Sequence, residues 1–370
     1  MPDTIPTIVM LPASGQTAAE KWVGEGRLAA ALDLVSRLKA CERYDPILAI
    51  AEDPSAEENL AALGAEPERQ GGEPFHFGRI LAECIRGHQF SQIAYFGGSS
   101  APLLTQSDLL RLSERLLDAQ APYSIANNLY STDWFLSNDV TPIQALVERL
   151  PADNPLGWVY SQEAGIFVQS EPACAATRLD IDTPMDLAML FEHPHVGSHL
   201  KRFLKTLPSD IVKRVEGLKK VLETPAETLT VIGRASSHLW QQLEQQTQIW
   251  VRLFVEERGM VASRRLERGD VGSLIASHLR VLGPEGFIQL LSELSSAVLW
   301  DTRVWMAAEL GWPKAGDRFA ADLGWSHDIE EPRLREFTQA IEAAPIPILA
   351  GGYGVVAGGV YALLESMAVD

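Results

Sequence analysis

Two carboxylates one residue apart precede a helix start in Asp180-Ile-Asp182-Thr-Pro184-Met-Asp186-Leu187. Side chains alternate along extended backbone, so Asp180 and Asp182 would point to one face. Thr183 suits a helix cap and Pro184 its first turn. Two hard oxygen donors on one edge suit Mg2+, which takes a carboxylate or two and completes its shell with substrate phosphates. The same acids would equally decorate a helix N-terminus, where negative charge meets the helix dipole. A second pattern is Gly233-Arg234-Ala-Ser236-Ser237, a strand end that opens a helix. Helix N-terminal N–H groups and Arg234 could hold an anion there, or the glycine could simply permit a tight turn. Pro347-Ile-Leu-Ala-Gly351-Gly352-Tyr-Gly354 repeats that layout.

The elements that must position these groups alternate along the first half. Strands are expected at Thr7–Leu11, Pro46–Ala51, Gln92–Phe96 and Tyr123–Ala126. Helices are expected at Gly26–Leu38, Ala56–Leu63, Phe77–Arg86 and, started by Thr105, Ser107–Leu117. This rhythm predicts a mostly parallel sheet with helices on both faces, and ligands outside the carboxyl ends of its strands. Asn127, Asn128 and Asp133 crowd one such end, as an acceptor site or as plain turn residues. Near residue 200 the character changes. Residues 1–200 read as one domain, 201–226 as a linker helix and 227–370 as a helix-rich α/β domain. In the last, strands are expected at Leu229–Ile232, Ile249–Val255 and Pro345–Leu349. Helical stretches are expected at His238–Gln246, Val271–Leu282 and Gly286–Leu310. Trp240, Trp250, Trp305, Trp312 and Trp325 are expected in the core. Asp301-Thr-Arg303 and Asp317-Arg318 read as structural ion pairs.

Composition bounds the function. The 370 residues carry a net charge of −18, which argues against holding nucleic acid by its phosphates. A single nucleotide, held by backbone N–H groups and a metal, remains compatible. Cys41, Cys84 and Cys174 are isolated, so no disulfide framework is visible and a reducing cytoplasm is the expectation. The opening Met-Pro-Asp-Thr-Ile-Pro carries no basic and apolar run, so no signal peptide is expected. The apolar stretch Ile346–Leu364 is broken by five glycines and reads as strand, turn and helix rather than a membrane span. His193-Pro194-His195 with His199 could mimic a metal cluster, but Pro194 breaks the helical spacing that would align the first two and no Cys is near. Arg258, Arg264, Arg265 and Arg268 form a basic patch that reads as a solvated face.

Arg178–Leu187 resembles the closing motif of small nucleotidyltransferases of the GT-A type. These include the molybdenum-cofactor guanylyltransferases and, closer in pattern, the 2-phospho-L-lactate guanylyltransferases. Tyr95-Phe-Gly-Gly-Ser-Ser100-Ala-Pro102-Leu-Leu-Thr105-Gln-Ser-Asp108-Leu109 is similar to the family's Gly-Asp-x-Pro-Leu-Leu-Thr-x-x-Asp-Leu segment. Phe77–Glu83 matches a helix start beneath the base more weakly. The resemblance covers about residues 5–200. It implies a GT-A (Rossmann-like) sheet and a Mg2+-dependent transfer of a nucleoside monophosphate from an NTP to a small, phosphorylated acceptor, releasing pyrophosphate. Asp180 and Asp182 would hold the metal and Lys21 would meet phosphates. Pro12, Ala13, Ser14, Gly15, Gln16 and Thr17, with Ser99 and Ser100, would line the nucleotide.

Two departures stand out. The family's metal-binding Asp is Ser100 here, a neutral hydroxyl. The phosphate turn Leu11-Pro-Ala-Ser-Gly15-Gln-Thr-Ala-Ala-Glu-Lys21 keeps one glycine and no arginine. Two other expectations therefore stand beside the first: a glycosyltransferase using a nucleotide-sugar on the same fold, and a catalytically degenerate GT-A-like binding module. No nucleic-acid or membrane partner is expected, and a homo-oligomer is left open.

Overall fold

The computed structural model describes residues 4–68 and 75–368. The opening Met1-Pro2-Asp3, part of the stretch read for a leader, lies outside them. By internal contacts the chain forms two compact units. The first comprises residues through Ser14, Arg27–Asp180 and His195–Leu200. The second comprises Gly15–Gly26, Ile181–Pro194 and the chain from Lys201 onward.

The first unit is built on seven strands: β1 (Ile5–Leu11), β2 (Tyr44–Ala51), β3 (Glu66–Pro67), β4 (Ile93–Gly97), β5 (Tyr123–Ala126), β6 (Trp134–Ser137) and β7 (Phe167–Ser170). Their order is β3-β2-β1-β4-β6-β5-β7. Only β6 runs antiparallel, against both β4 and β5. Val9 of β1 lies between Ala49 of β2 and Phe96 of β4. Continuous apolar runs such as Ile8-Val-Met-Leu11 are what a sheet covered on both faces requires. Ile5, Val9 and Leu11 pack with Leu34, Phe96, Leu112 and Trp134 on one face. Ile8 and Met10 pack with Leu81, Tyr95 and Phe135 on the other. The expected strands and helices of this half are all present and, one helix start apart, lie within a few residues of the expected ends. The helix from Gly26 begins earlier, at Ala18, and runs to Cys41. β3, β6 and β7 were not anticipated.

The second unit carries an all-parallel sheet of β8 (Thr228–Gly233), β9 (Trp250–Val255), β10 (Ala297–Asp301) and β11 (Ile348–Gly351), in the order β11-β10-β8-β9. β10 corrects the expectation of one helical stretch over Gly286–Leu310. The helical segment Leu274–Leu294, broken at Gly283-Pro284, ends first, a fully buried strand follows, and a short helix Arg303–Glu309 closes the segment. Ile346–Leu364 is the expected strand, glycine turn and helix. The core gathers Ile232, Phe287, Val298, Trp300, Trp305, Phe337 and Ile348. Trp305 is buried as expected, but Trp240 and Trp250 are exposed. Trp250 lies on β9, an edge strand that also exposes Phe254 and Val255. No helix among the described residues is long and apolar enough to cross a membrane.

Candidate functional site

In the first unit the expected polar groups gather at the carboxyl edge of the sheet, where helices and strands meet loops. β4 ends in the turn Gly97-Gly98-Ser99-Ser100. The Ser100 hydroxyl donates to the carbonyls of Gly97 (2.7 Å) and Asp133 (2.9 Å), and so ties the ends of β4 and β6 together. Gly98 donates its N–H to the Met10 carbonyl at 2.6 Å, joining the same turn to β1. Ser99, one residue earlier, donates its hydroxyl to Asp180 Oδ1 at 3.1 Å. Asp180 is therefore a half-buried carboxylate facing the β4 turn. Behind it the Tyr95 phenol, fully buried, donates to Asp153 Oδ2 at 2.8 Å. Burial raises the Tyr95 pKa well above its usual range, and the charges of Asp153, Asp133 and Asp180 push the same way. Three carboxylates thus share the neighbourhood of one phenol that no spacing argument singled out.

Asn127 is fully occupied by structure. Its amide donates to Asp133 Oδ2 (2.7 Å) and to the Thr177 carbonyl (3.3 Å), and its oxygen accepts the N–H of Asp133 (2.9 Å) and Trp134 (3.3 Å). Asn128 accepts from the Tyr130 N–H at 3.1 Å, the geometry of an Asx turn. Arg178 reaches the Asn127 carbonyl, so this polar group fastens the β5–β6 loop.

The acidic motif continues into the second unit. Asp182 is exposed. Its N–H, with the N–H and hydroxyl of Thr183, donates to Asp186 Oδ2 at 3.1, 2.7 and 2.9 Å. The cap expected of Thr183 is thus a reciprocal arrangement in which the fully buried Asp186 takes the donors. Among the described residues, no group of three or more His, Cys, Asp or Glu side chains is arranged to hold a metal ion. A cation that shares its shell with phosphates needs only one or two carboxylates, and Asp180 offers one.

The expected phosphate turn has its donors turned inward. Glu20 Oε2 accepts from Gln16 N (3.2 Å), Thr17 N (3.0 Å) and the Thr17 hydroxyl (2.9 Å). A Cβ at Gly15 would meet the Glu20 side chain at 2.4 Å. The Thr17 N–H, against partial burial, holds the Glu20 carboxyl below its ordinary value, helped by Gln16 and Arg318. The Thr17-x-x-Glu20 spacing is a capping-box signature and was readable in the sequence. Lys21 is exposed on the same first turn.

At the carboxyl edge of the second sheet, Arg234 does not stand alone. Asp301, fully buried at the end of β10, accepts from Arg234 Nε (2.6 Å) and Nη2 (3.1 Å) and from the Arg303 N–H (3.2 Å). Arg303 does not pair with Asp301 through its side chain, as its place in the sequence implied. It forks onto Asp322 at 3.0 and 2.5 Å. Asp317 likewise serves the N–H groups of Glu330 and Glu331, both at 2.9 Å, rather than Arg318. Ser236 accepts from Leu239 N at 3.3 Å as the cap of the helix Ser237–Gln246. Ser237 is exposed. Arg265 and Arg268 of the basic patch are paired with Glu257 and Asp270.

Neither a family model nor a curated protein matches the chain. Among solved structures, a cytidylyltransferase from Leptospira borgpetersenii serovar Hardjo-bovis is similar at 14% identity and a TM-score of 0.42, over 59% of this chain and 96% of that one. A CMP:2-keto-3-deoxy-manno-octonic acid synthetase complexed with CTP is similar at 13% identity and a TM-score of 0.31, over 45% and 89%. These likenesses are remote, and the architecture rests on the strand order itself.

Proposed function

We propose that the first unit is a nucleotidyltransferase that, with Mg2+, moves a nucleoside monophosphate from an NTP to a small phosphorylated acceptor. The observation that carries this reading is the Ser99–Asp180 hydrogen bond of 3.1 Å. It joins the two segments on which the resemblance rests, and does so at the carboxyl edge of a mostly parallel sheet, where such folds bind ligands. An acceptor oxygen would attack the α-phosphorus, the bond to the bridging oxygen would break, and pyrophosphate would leave with the electron pair. Such transfers depend on positioning and charge neutralisation rather than a covalent nucleophile. Asp180 is the metal ligand in this reading, and Mg2+ would supply the charge that offsets the leaving pyrophosphate. Ser14 and Ser99 are the further residues of this unit that it invokes.

The test is a melting-temperature panel of the full chain with ATP, GTP, CTP and UTP, with and without Mg2+, followed by pyrophosphate release with phosphorylated acceptors. One nucleotide should raise the melting temperature in a Mg2+-dependent way, and Asp180→Asn should remove the shift. A shift with a UDP- or GDP-sugar but no NTP would replace this reading with a glycosyltransferase. A second reading, a non-catalytic module, is favoured by the Ser100 hydroxyl bound to two carbonyls and by Glu20 on the turn donors. Silence across the whole panel would favour it.

A further inference from the structure

The second sheet has its own topological switch point. The chain leaves β8 for β9 on one side and returns to β10 on the other, and open parallel sheets bind ligands outside the carboxyl ends of strands at such a point. Here the turns after β8 and β10 approach so closely that a Cβ at Gly233, φ 129°, would stand 2.5 Å from Asp301 Cβ. Asp301 takes the side-on edge of Arg234, the Nε and Nη2 hydrogens. A guanidinium carries five N–H groups in a fixed plane. The end-on edge, Nη1 with the outer Nη2 hydrogen, therefore keeps a second pair of parallel donors, and Nη1 has no hydrogen bond among the described residues. The Arg234 carbon Cζ lies 5.4 Å from the centroid of the Tyr353 ring, which is 40% exposed. Arg234 itself retains 19% side-chain exposure. One edge is thus bound to a buried carboxylate, one face is covered by an aromatic ring, and the other fork is open.

A second group on this edge is also unsatisfied. Glu256, just past β9, donates its N–H to the Gly233 carbonyl at 2.9 Å. Its Oε2 is shielded from water and has no hydrogen bond of ordinary geometry. A carboxylate oxygen only accepts, so this group favours a ligand that brings a hydrogen, such as a protonated phosphate oxygen, and repels a fully ionised one.

We infer that the second unit binds a small phosphorylated ligand at this switch point, with the end-on fork of Arg234 reading two phosphate oxygens. Fork-to-oxyanion pairing is a strong, charge-assisted contact. The first turn of the helix Ser237–Gln246, which begins three residues after Arg234, offers N–H groups to a third oxygen. A tetrahedral anion uses all of these donors, whereas a planar carboxylate uses the fork alone. Asp301 positions the arginine, and Tyr353 keeps its plane fixed.

Calorimetric titration of the full chain with inorganic phosphate, and separately with acetate, tests the inference. Arg234→Lys keeps a cation on Asp301 and removes the fork; it should weaken phosphate binding at least about tenfold while the melting temperature stays close to that of the parent. Tyr353→Leu, which leaves the ion pair intact, should weaken it by a smaller factor. Asp180→Asn should leave it unchanged, which separates this site from any phosphate site of the first unit. Failure of the parent to bind phosphate, unaltered binding by either folded variant, or tighter binding of acetate would overturn it.

Discussion

Ser99 donates its hydroxyl hydrogen to Asp180 Oδ1 across 3.1 Å, joining residues 81 positions apart. A neutral donor orients the carboxylate, where a second acid in its place would repel it. Ser99→Ala should lower stability by about 1 kcal/mol, the usual net value of one such bond, measured by urea unfolding. It should also weaken the Mg2+-dependent nucleotide shift without abolishing it, because Asp180 remains. Equal loss in Ser99→Ala and Asp180→Asn would mean that the hydroxyl itself touches the ligand.

Glu20 gives a prediction with a pH sign. Its carboxyl is held below its ordinary value of 4.5, chiefly by the Thr17 N–H. A depressed carboxylate contributes stability above its unfolded pKa and loses it as pH falls through the folded one. Glu20→Gln should therefore be less stable than the parent at pH 7, by about 0.5–1 kcal/mol as for other lost caps. The difference should close as the pH drops below 4.5. If the Gln16 and Thr17 donors serve phosphates, Glu20→Ala should also bind pyrophosphate more tightly in a titration at pH 7.

Glu256 carries the opposite sign. Burial raises its pKa, with the charges of Asp301 and Glu257 adding to the effect against hydrogen bonds from Ser273 and the Ile275 backbone. A raised carboxyl penalises the folded state once ionised; the penalty is absent below the unfolded pKa and complete above the folded one. Glu256→Gln keeps an acceptor for Ser273 and removes the charge. It should be more stable than the parent at pH 8 and equal to it near pH 4, as read from paired urea curves.

The Arg303–Asp322 pair is buried at both ends, with side chains 5% and 1% exposed. Removing one partner strands a charge in the core, so Asp322→Leu should cost about 3–5 kcal/mol. The double replacement Arg303→Met with Asp322→Leu should recover most of that loss, since a paired exchange leaves no unmatched charge. A denaturation cycle over the four proteins reads the coupling directly; additive losses would show that the two residues act independently.

Much of the first sheet was legible because its strands are short apolar runs followed by amphipathic helices. The helix beginning at Gln106 was legible from its cap, as Thr105 and Asp108 bind each other's backbone. β10 was not. Ala297-Val-Leu-Trp-Asp301 is buried on both faces, so it has no alternation to set it apart from the helical stretches on either side. β6 is buried at all four positions and β7 at none, so neither shows the alternation that marks a half-buried strand. At the site, spacing located the acidic motif but not the partners. Ser99 and Ser100 are neighbours in sequence, and only the turn geometry sends one hydroxyl to Asp180 and the other to two carbonyls. Arg234 was legible as a cation after a strand, whereas Asp301, 67 residues later, could only be placed beside it by the fold.

The close approach of Gly233 to Asp301 sets a rule for how this protein can vary over time. Any side chain at 233 would strike the one at 301 and would sit on a backbone angle that L residues rarely adopt. Losing the acid at 301 would leave Arg234 without its anchor. The three positions are therefore a single inherited unit: among descendants of this sequence, drift at one should be seen only where the other two have changed with it.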